Sequence, residues 1–249
     1  MLGKLIKHDL NYSKKSFFSI AAVAVVLSLV AALSVTFDIE SISIASLVVI
    51  GTVLSVMFVM SIVLIFNGYK KSLFGQNGYL FLTLPVSKNN LLLSKVIGAL
   101  IWANFMGVVT IIMTTAIVFV GTNLDGTSTY ILWEAMPNWL EFIGNALYGI
   151  LSFNVFTFVA IMVLFMTITL ANASFASKRL HWILAGAIGL AYYVIYIRGT
   201  VLIGSLLFNM NTNQTSIFEM TLLMIYSILV GGISYFITLR LLKKRIELD

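Results

Sequence analysis

Long apolar runs alternate with short polar ones along this chain, and none of the runs shows the strict in-out alternation of a half-buried strand. A helix needs about 20 apolar residues to cross roughly 30 Å of hydrocarbon. Six stretches qualify: residues 16–37, 43–66, 96–120, 142–171, 182–208 and 217–239. Closed barrels also satisfy every backbone group in lipid, but their strands alternate apolar and polar side chains. The expected fold class is therefore an all-α membrane protein with six transmembrane helices. The presence of only two prolines suits long, unbroken helices.

Composition strengthens this reading. Of 249 residues, 60% are hydrophobic and 10% charged, where a soluble domain carries about 25% charged residues. No cysteine is present, so disulfide and thiolate chemistry are excluded. The two histidines, His8 and His181, are far apart in sequence and argue against a histidine metal or acid–base site. There is no phosphate-cradling GxxxxGK[ST] loop, no HExxH, no GxSxG and no pair of acids within a span. The chain is thus expected not to be an enzyme and to hold no metal or cofactor itself. Asn172-Ala173-Ser174 matches the glycosylation pattern by chance.

The net charge of +6 matters through its placement. Fourteen of the 15 Lys and Arg residues fall in four places: Lys4, Lys7, Lys14 and Lys15; Lys70, Lys71, Lys88 and Lys95; Lys178 and Arg179; and Arg240, Lys243, Lys244 and Arg245. The alternate loops carry only acids: Asp38 and Glu40, then Asp125, Glu134 and Glu141, then Glu219. The positive-inside rule puts both termini in the cytoplasm of a multi-pass protein. The basic charge then serves the lipid surface and not nucleic acid. Residues 1–35 have the charge and apolarity of a signal peptide, but the length of the apolar run predicts a retained first span.

Two segments are not spans. At about 100° per residue, Leu2, Leu5, Ile6, Leu10 and Tyr12 share one face of residues 1–15, with Lys4, Lys7, His8, Asn11, Lys14 and Lys15 opposite. This predicts an amphipathic interfacial helix on anionic headgroups, with Asp9 on its apolar side meeting a cation or a partner. The loop 67–95 is too apolar for a free linker and too rich in glycine for a span. Pro85 pushes Leu84 out of helical geometry, and Ser87 can cap a new helix that runs through Lys95 into the third span. Before it, residues 72–82 can form a short helix whose Leu73, Phe74, Tyr79, Leu80 and Phe81 offer an apolar surface at the membrane boundary.

The run Gly78-Tyr79-Leu80-Phe81-Leu82-Thr83-Leu84-Pro85-Val86-Ser87, followed by Leu91-Leu92-Leu93-Ser94-Lys95, resembles the intracellular loop of type-2 ABC exporter permeases. The layout of the whole chain is similar to theirs, with six spans, a basic amphipathic start and cytoplasmic ends. The nearest flavour is the permease of small Gram-positive exporters of amphipathic or antimicrobial peptides, such as the phenol-soluble-modulin exporter. The resemblance implies a cytoplasmic coupling helix between spans 2 and 3, seated in a groove of a separate ATPase subunit. Its residues would be Ser72, Leu73, Phe74, Gly75, Gln76, Asn77, Gly78, Tyr79, Leu80 and Phe81, with Lys70 and Lys71 at its entry. It further implies two copies of the ATPase, which would carry ATP and Mg, and a second permease chain, identical or paralogous.

Arg198 is the one basic residue within a span. Its distance from Trp182 places it near the far interface, where it can snorkel or line a substrate exit. The family often carries a broken, re-entrant segment between the last two spans, and Gly199 suits such a break, with residues 200–208 dipping back. Ala99, Ala103 and Gly107 recur every four residues and permit close helix approach. Asn104, Thr110, Thr114, Asn145, Asn154 and Thr157 are expected to bridge helices, and Asn104, Asn154 and Arg198 are candidates for a substrate path. The competing class is a stand-alone substrate-binding component or channel, which also needs no ATP motif. The long loop and basic start speak against it.

Overall fold

A computed structural model describes residues 2–35, 40–74, 87–124, 139–173, 178–208 and 215–246. The described residues form six α-helices and no strand: α1 Leu2–Val35, α2 Glu40–Phe74, α3 Lys88–Leu124, α4 Trp139–Ala173, α5 Lys178–Phe208 and α6 Thr215–Ile246. Each contains a stretch long and apolar enough to cross a membrane. The chain is an all-α, six-span membrane protein. Every expected span lies inside one helix, except that residues 36–37 fall outside the described set.

The helices outrun the spans. At 1.5 Å per residue, even the shortest, α5 with 31 residues, is about 46 Å long. Continuity overturns three expectations. Residues 2–15 are not a separate interfacial helix but the first turns of α1. Nothing after Gly3 in α1 is a glycine or proline, so no residue gives up the backbone ladder between the basic turns and the span. The face assignment holds for Lys4, Lys7, His8, Asn11, Lys14 and Lys15, all exposed, and for Leu2, Leu5, Ile6 and Leu10, all half-buried. Tyr12 departs from it at 60% exposure, because it lies at the edge of the apolar arc. Asp9 is half-buried and sits 4.0 Å from the Nδ1 of its neighbour His8.

The second difference is at the end of α2, which continues to Phe74 instead of stopping near Phe66. Ser72, Leu73 and Phe74 are its last turn and do not begin a coupling helix. Burial explains the extension: Tyr69 and Leu73, four residues apart on one face, are both 2% exposed. Third, α5 is unbroken through Arg198, Gly199 and Thr200, so no re-entrant break occurs there.

The chain divides into two compact units. The first comprises Met1–Lys7, Phe66–Leu100 and Gly149–Asp249, and the second His8–Ile65 and Ile101–Tyr148. In the second unit, α1 buries Phe17, Ala21, Ala24 and Ser28, and α3 buries Trp102, Met106, Val109 and Met113. Both stripes step by four, three and four residues, the spacing that keeps one seam of a helix facing a neighbour. Small residues on α1 meet large ones on α3, which brings the surfaces into dispersion contact where lipid removes the hydrophobic drive. The Phe17 ring lies flat on Trp102 at 4.4 Å, while Phe18 and Phe105 meet the indole edge-on.

In the first unit, α4 buries Val159, Ile161, Met162, Phe165, Met166, Ile168, Thr169 and Ala171. A glycine sits at its contact with α5, another at its contact with α6, and a third between α5 and α6. Gly189 of α5 meets the Thr167 side chain, Gly231 of α6 meets the Phe158 ring, and Gly199 of α5 meets the Tyr226 hydroxyl of α6. The expected small-residue face on α3 shows only Ala99 buried, with Ala103 and Gly107 half-buried. Gly199 is therefore a contact point between two intact helices and not a hinge.

Candidate functional site

The segment between α2 and α3 carries the strongest sequence signal, and both of its ends are fastened. At the α2 end, the Tyr69 ring stacks on Phe165 of α4 at 3.9 Å and an interplanar angle of 9°. Its hydroxyl shares a 2.9 Å hydrogen bond with Thr169 Oγ1, and Thr169 also donates to its own Phe165 carbonyl when its proton points that way. Phe74 meets the Tyr69 ring edge-on at 6.1 Å. At the α3 end, Ser87 caps the helix as expected. Its Oγ accepts from Asn90 N at 3.4 Å, and its carbonyl accepts the first helical bond from Leu91 N at 3.2 Å. Two residues on, Asn89 Oδ1 accepts from the Tyr235 hydroxyl of α6. Leu91 and Leu92 are buried behind it.

Lys70 and Lys71 are exposed on the last turns of α2. Ser72 is half-buried and donates to the Tyr69 carbonyl at 3.2 Å. Leu73 is a correction: at 2% exposure it belongs to the protein's own interior and cannot present itself to a partner. Phe74 is half-buried. Gly75, Gln76, Asn77, Gly78, Tyr79, Leu80 and Phe81, with the rest of residues 75–86, lie outside the described residues.

The expected substrate-path residues lie on three different helices, Asn104 on α3, Asn154 on α4 and Arg198 on α5. Asn154 is half-buried, and its Nδ2 donates to the Ile150 carbonyl of its own helix at 2.9 Å. Asn104 is half-buried on α3, and Arg198 is exposed on α5. Thr110 and Thr114 bond back to the carbonyls of Met106 and Thr110, so they do not bridge helices. The i−4 carbonyl is always within reach of such a side chain, whereas a bridge needs a neighbour at the right level.

Tyrosines and serines outside the expected set do the bridging. Tyr192 donates to the Val230 carbonyl at 2.9 Å and can accept from Ser234 Oγ at 2.8 Å. Tyr196 shares a 2.9 Å hydrogen bond with Ser227 and stacks on Tyr226. Ser227, Ser234 and Thr238 are fully buried, yet each can also bond to its own helix. The signal was present as spacing: Tyr192 and Tyr196 are four apart, and Ser227 and Ser234 seven apart, each pair on one helical face. No group of acids and histidines able to hold a metal occurs among the described residues.

The fold defines a class, the six-span helical membrane protein, with a tethered segment between α2 and α3 as its most distinctive feature. Beyond the class, comparison with known proteins is silent: no family model, curated protein or solved structure matches the chain.

Proposed function

We propose that this chain is the permease subunit of an ATP-driven exporter in a bacterial plasma membrane, with both termini cytoplasmic. It passes an amphipathic peptide or lipid-like cargo and couples to two copies of a separate ABC ATPase. The observation that carries the reading is the segment between α2 and α3. Its sequence resembles a coupling loop, and its ends are pinned to α4 through Tyr69 and to α6 through Asn89. A displacement applied to residues 75–86 would pass through these two fastenings into helices that cross the bilayer, which is what a coupling element must do. Exposed Lys70 and Lys71 give such a partner a cationic margin.

In this reading ATP and Mg reside on the partner, and the chain performs no bond chemistry. A second permease chain, identical or paralogous, completes the path. The test is co-purification with the ATPase encoded beside it. Tyr79→Asp combined with Phe81→Asp is expected to release the ATPase while leaving a helical, membrane-inserted permease. Undiminished co-purification removes the coupling assignment, and transport by the purified chain alone replaces it with a channel or stand-alone carrier.

A further inference from the structure

Arg198 is a charged side chain on an outward-facing apolar surface. It is exposed, and it makes no hydrogen bond or ion pair among the described residues. The residues one turn either side of it on the same face, Val194, Val201 and Leu202, are 53%, 59% and 61% exposed. A guanidinium left in hydrocarbon costs about 2.5–3.5 kcal/mol on insertion scales, so its depth decides what it meets.

The rise of α5 gives that depth, and α6 shows what lies level with it. On α5, Arg198 lies twenty residues beyond Lys178, or about 30 Å at 1.5 Å per residue, which is the thickness of the hydrocarbon. α6 runs antiparallel, since Tyr192 meets Ser234, Tyr196 meets Ser227, and Gly199 meets Tyr226. On α6, Tyr226 lies 14 residues, or about 21 Å by the same rise, from Arg240, the first cation of its basic end. Tyr193 is half exposed, and Tyr196 and Tyr226 stack at 5.8 Å, which gathers phenols at this level as tyrosines gather at a membrane interface.

We propose that Arg198 binds the phosphodiester of a phospholipid headgroup in the leaflet opposite Lys178. The planar guanidinium offers paired donors that match two phosphate oxygens. The exposed Val194 and Leu190, one and two turns back toward Lys178, lie where the acyl chains of that lipid run. The proposal rests on helix length and exposure alone and is independent of the exporter reading. It has a structural consequence: residues 199–208 of α5 continue beyond the hydrocarbon on that side.

The test is lipid binding to the full chain in alkyl maltoside, read by native mass spectrometry during titration with phosphatidylglycerol. Arg198→Gln is expected to weaken the tightest binding about tenfold or more, as loss of a charge-assisted hydrogen bond requires. Arg198→Lys, which keeps the charge but not the fork, is expected to fall between. With the wild-type chain, diacylglycerol, which lacks the phosphate, is expected to bind at least about tenfold more weakly than phosphatidylglycerol on the same grounds. Equal binding by Arg198→Gln or by diacylglycerol overturns the proposal. Displacement of the lipid by inorganic phosphate would assign the site to a free anion instead.

Discussion

A polar group buried in a membrane helix must find its partner within the protein, and most hydroxyls here find it one turn back. Ser28, Ser61, Thr169, Ser234 and Thr238 all reach a carbonyl of their own helix. Trp102 is different: its Nε1 is buried with no hydrogen-bond partner among the described residues. An unsatisfied buried donor costs about 1–3 kcal/mol, while the stack on Phe17 favours an aromatic ring at this position. Trp102→Phe is therefore expected to be close to neutral, and Trp102→Ala to cost about 3–5 kcal/mol through the cavity it leaves. Unfolding in detergent followed by circular dichroism separates the two. A loss for Trp102→Phe as large as for Trp102→Ala would mean that the indole N–H has a partner.

Glycines at the helix contacts differ in how much their neighbours can yield. A Cβ on Gly189 would collide with Thr167, a β-branched side chain held by its own bond to the Leu164 carbonyl at 2.8 Å. At Gly199 the obstacle is the tip of Tyr226, a longer side chain. Gly189→Ala is expected to destabilise by about 1–3 kcal/mol and Gly199→Ala by less, measured by thermal unfolding of the purified chain.

At the scale of elements, burial decides where α2 ends. The apolar run stops near Phe66, but Tyr69 and Leu73 turn inward to α4's side of their unit, and the helix follows them to Phe74. Leu73→Asp would place a charge in a packed interior, a change costing several kcal/mol at about 3 kcal/mol or more. It is expected to reduce folded yield on size-exclusion chromatography. Lys70→Glu with Lys71→Glu, both on exposed positions, is expected to leave that yield unchanged. If Leu73→Asp folds normally, the fastening of α2 through this turn is not what the burial implies.

At the scale of the molecule, orientation rests on charge alone. The cysteine-free chain makes this simple to check, because single cysteines can be introduced without background. Cysteines at Lys71, Lys178 and Lys243 are expected to react with an impermeant maleimide only after the cytoplasmic side is opened, and cysteines at Asp38, Asp125 and Glu219 in intact cells. Labelling of the two sets from the same side would remove the six-span topology.

What the amino-acid order determined by itself is the number, type and rough position of the membrane helices, the cap at Ser87 and the alternation of basic and acidic loops. These are local properties: the length of an apolar run, a hydroxyl before a helix, a tally of lysines. Where the helices end, and which faces meet, was decided only by the tertiary structure. In a span that is apolar all round, hydrophobicity carries no direction, so the inward face is chosen by steric fit between neighbours. That is why Gly189, Gly199 and Gly231, and the Tyr192 and Tyr196 hydroxyls, acquire their meaning from residues on other helices.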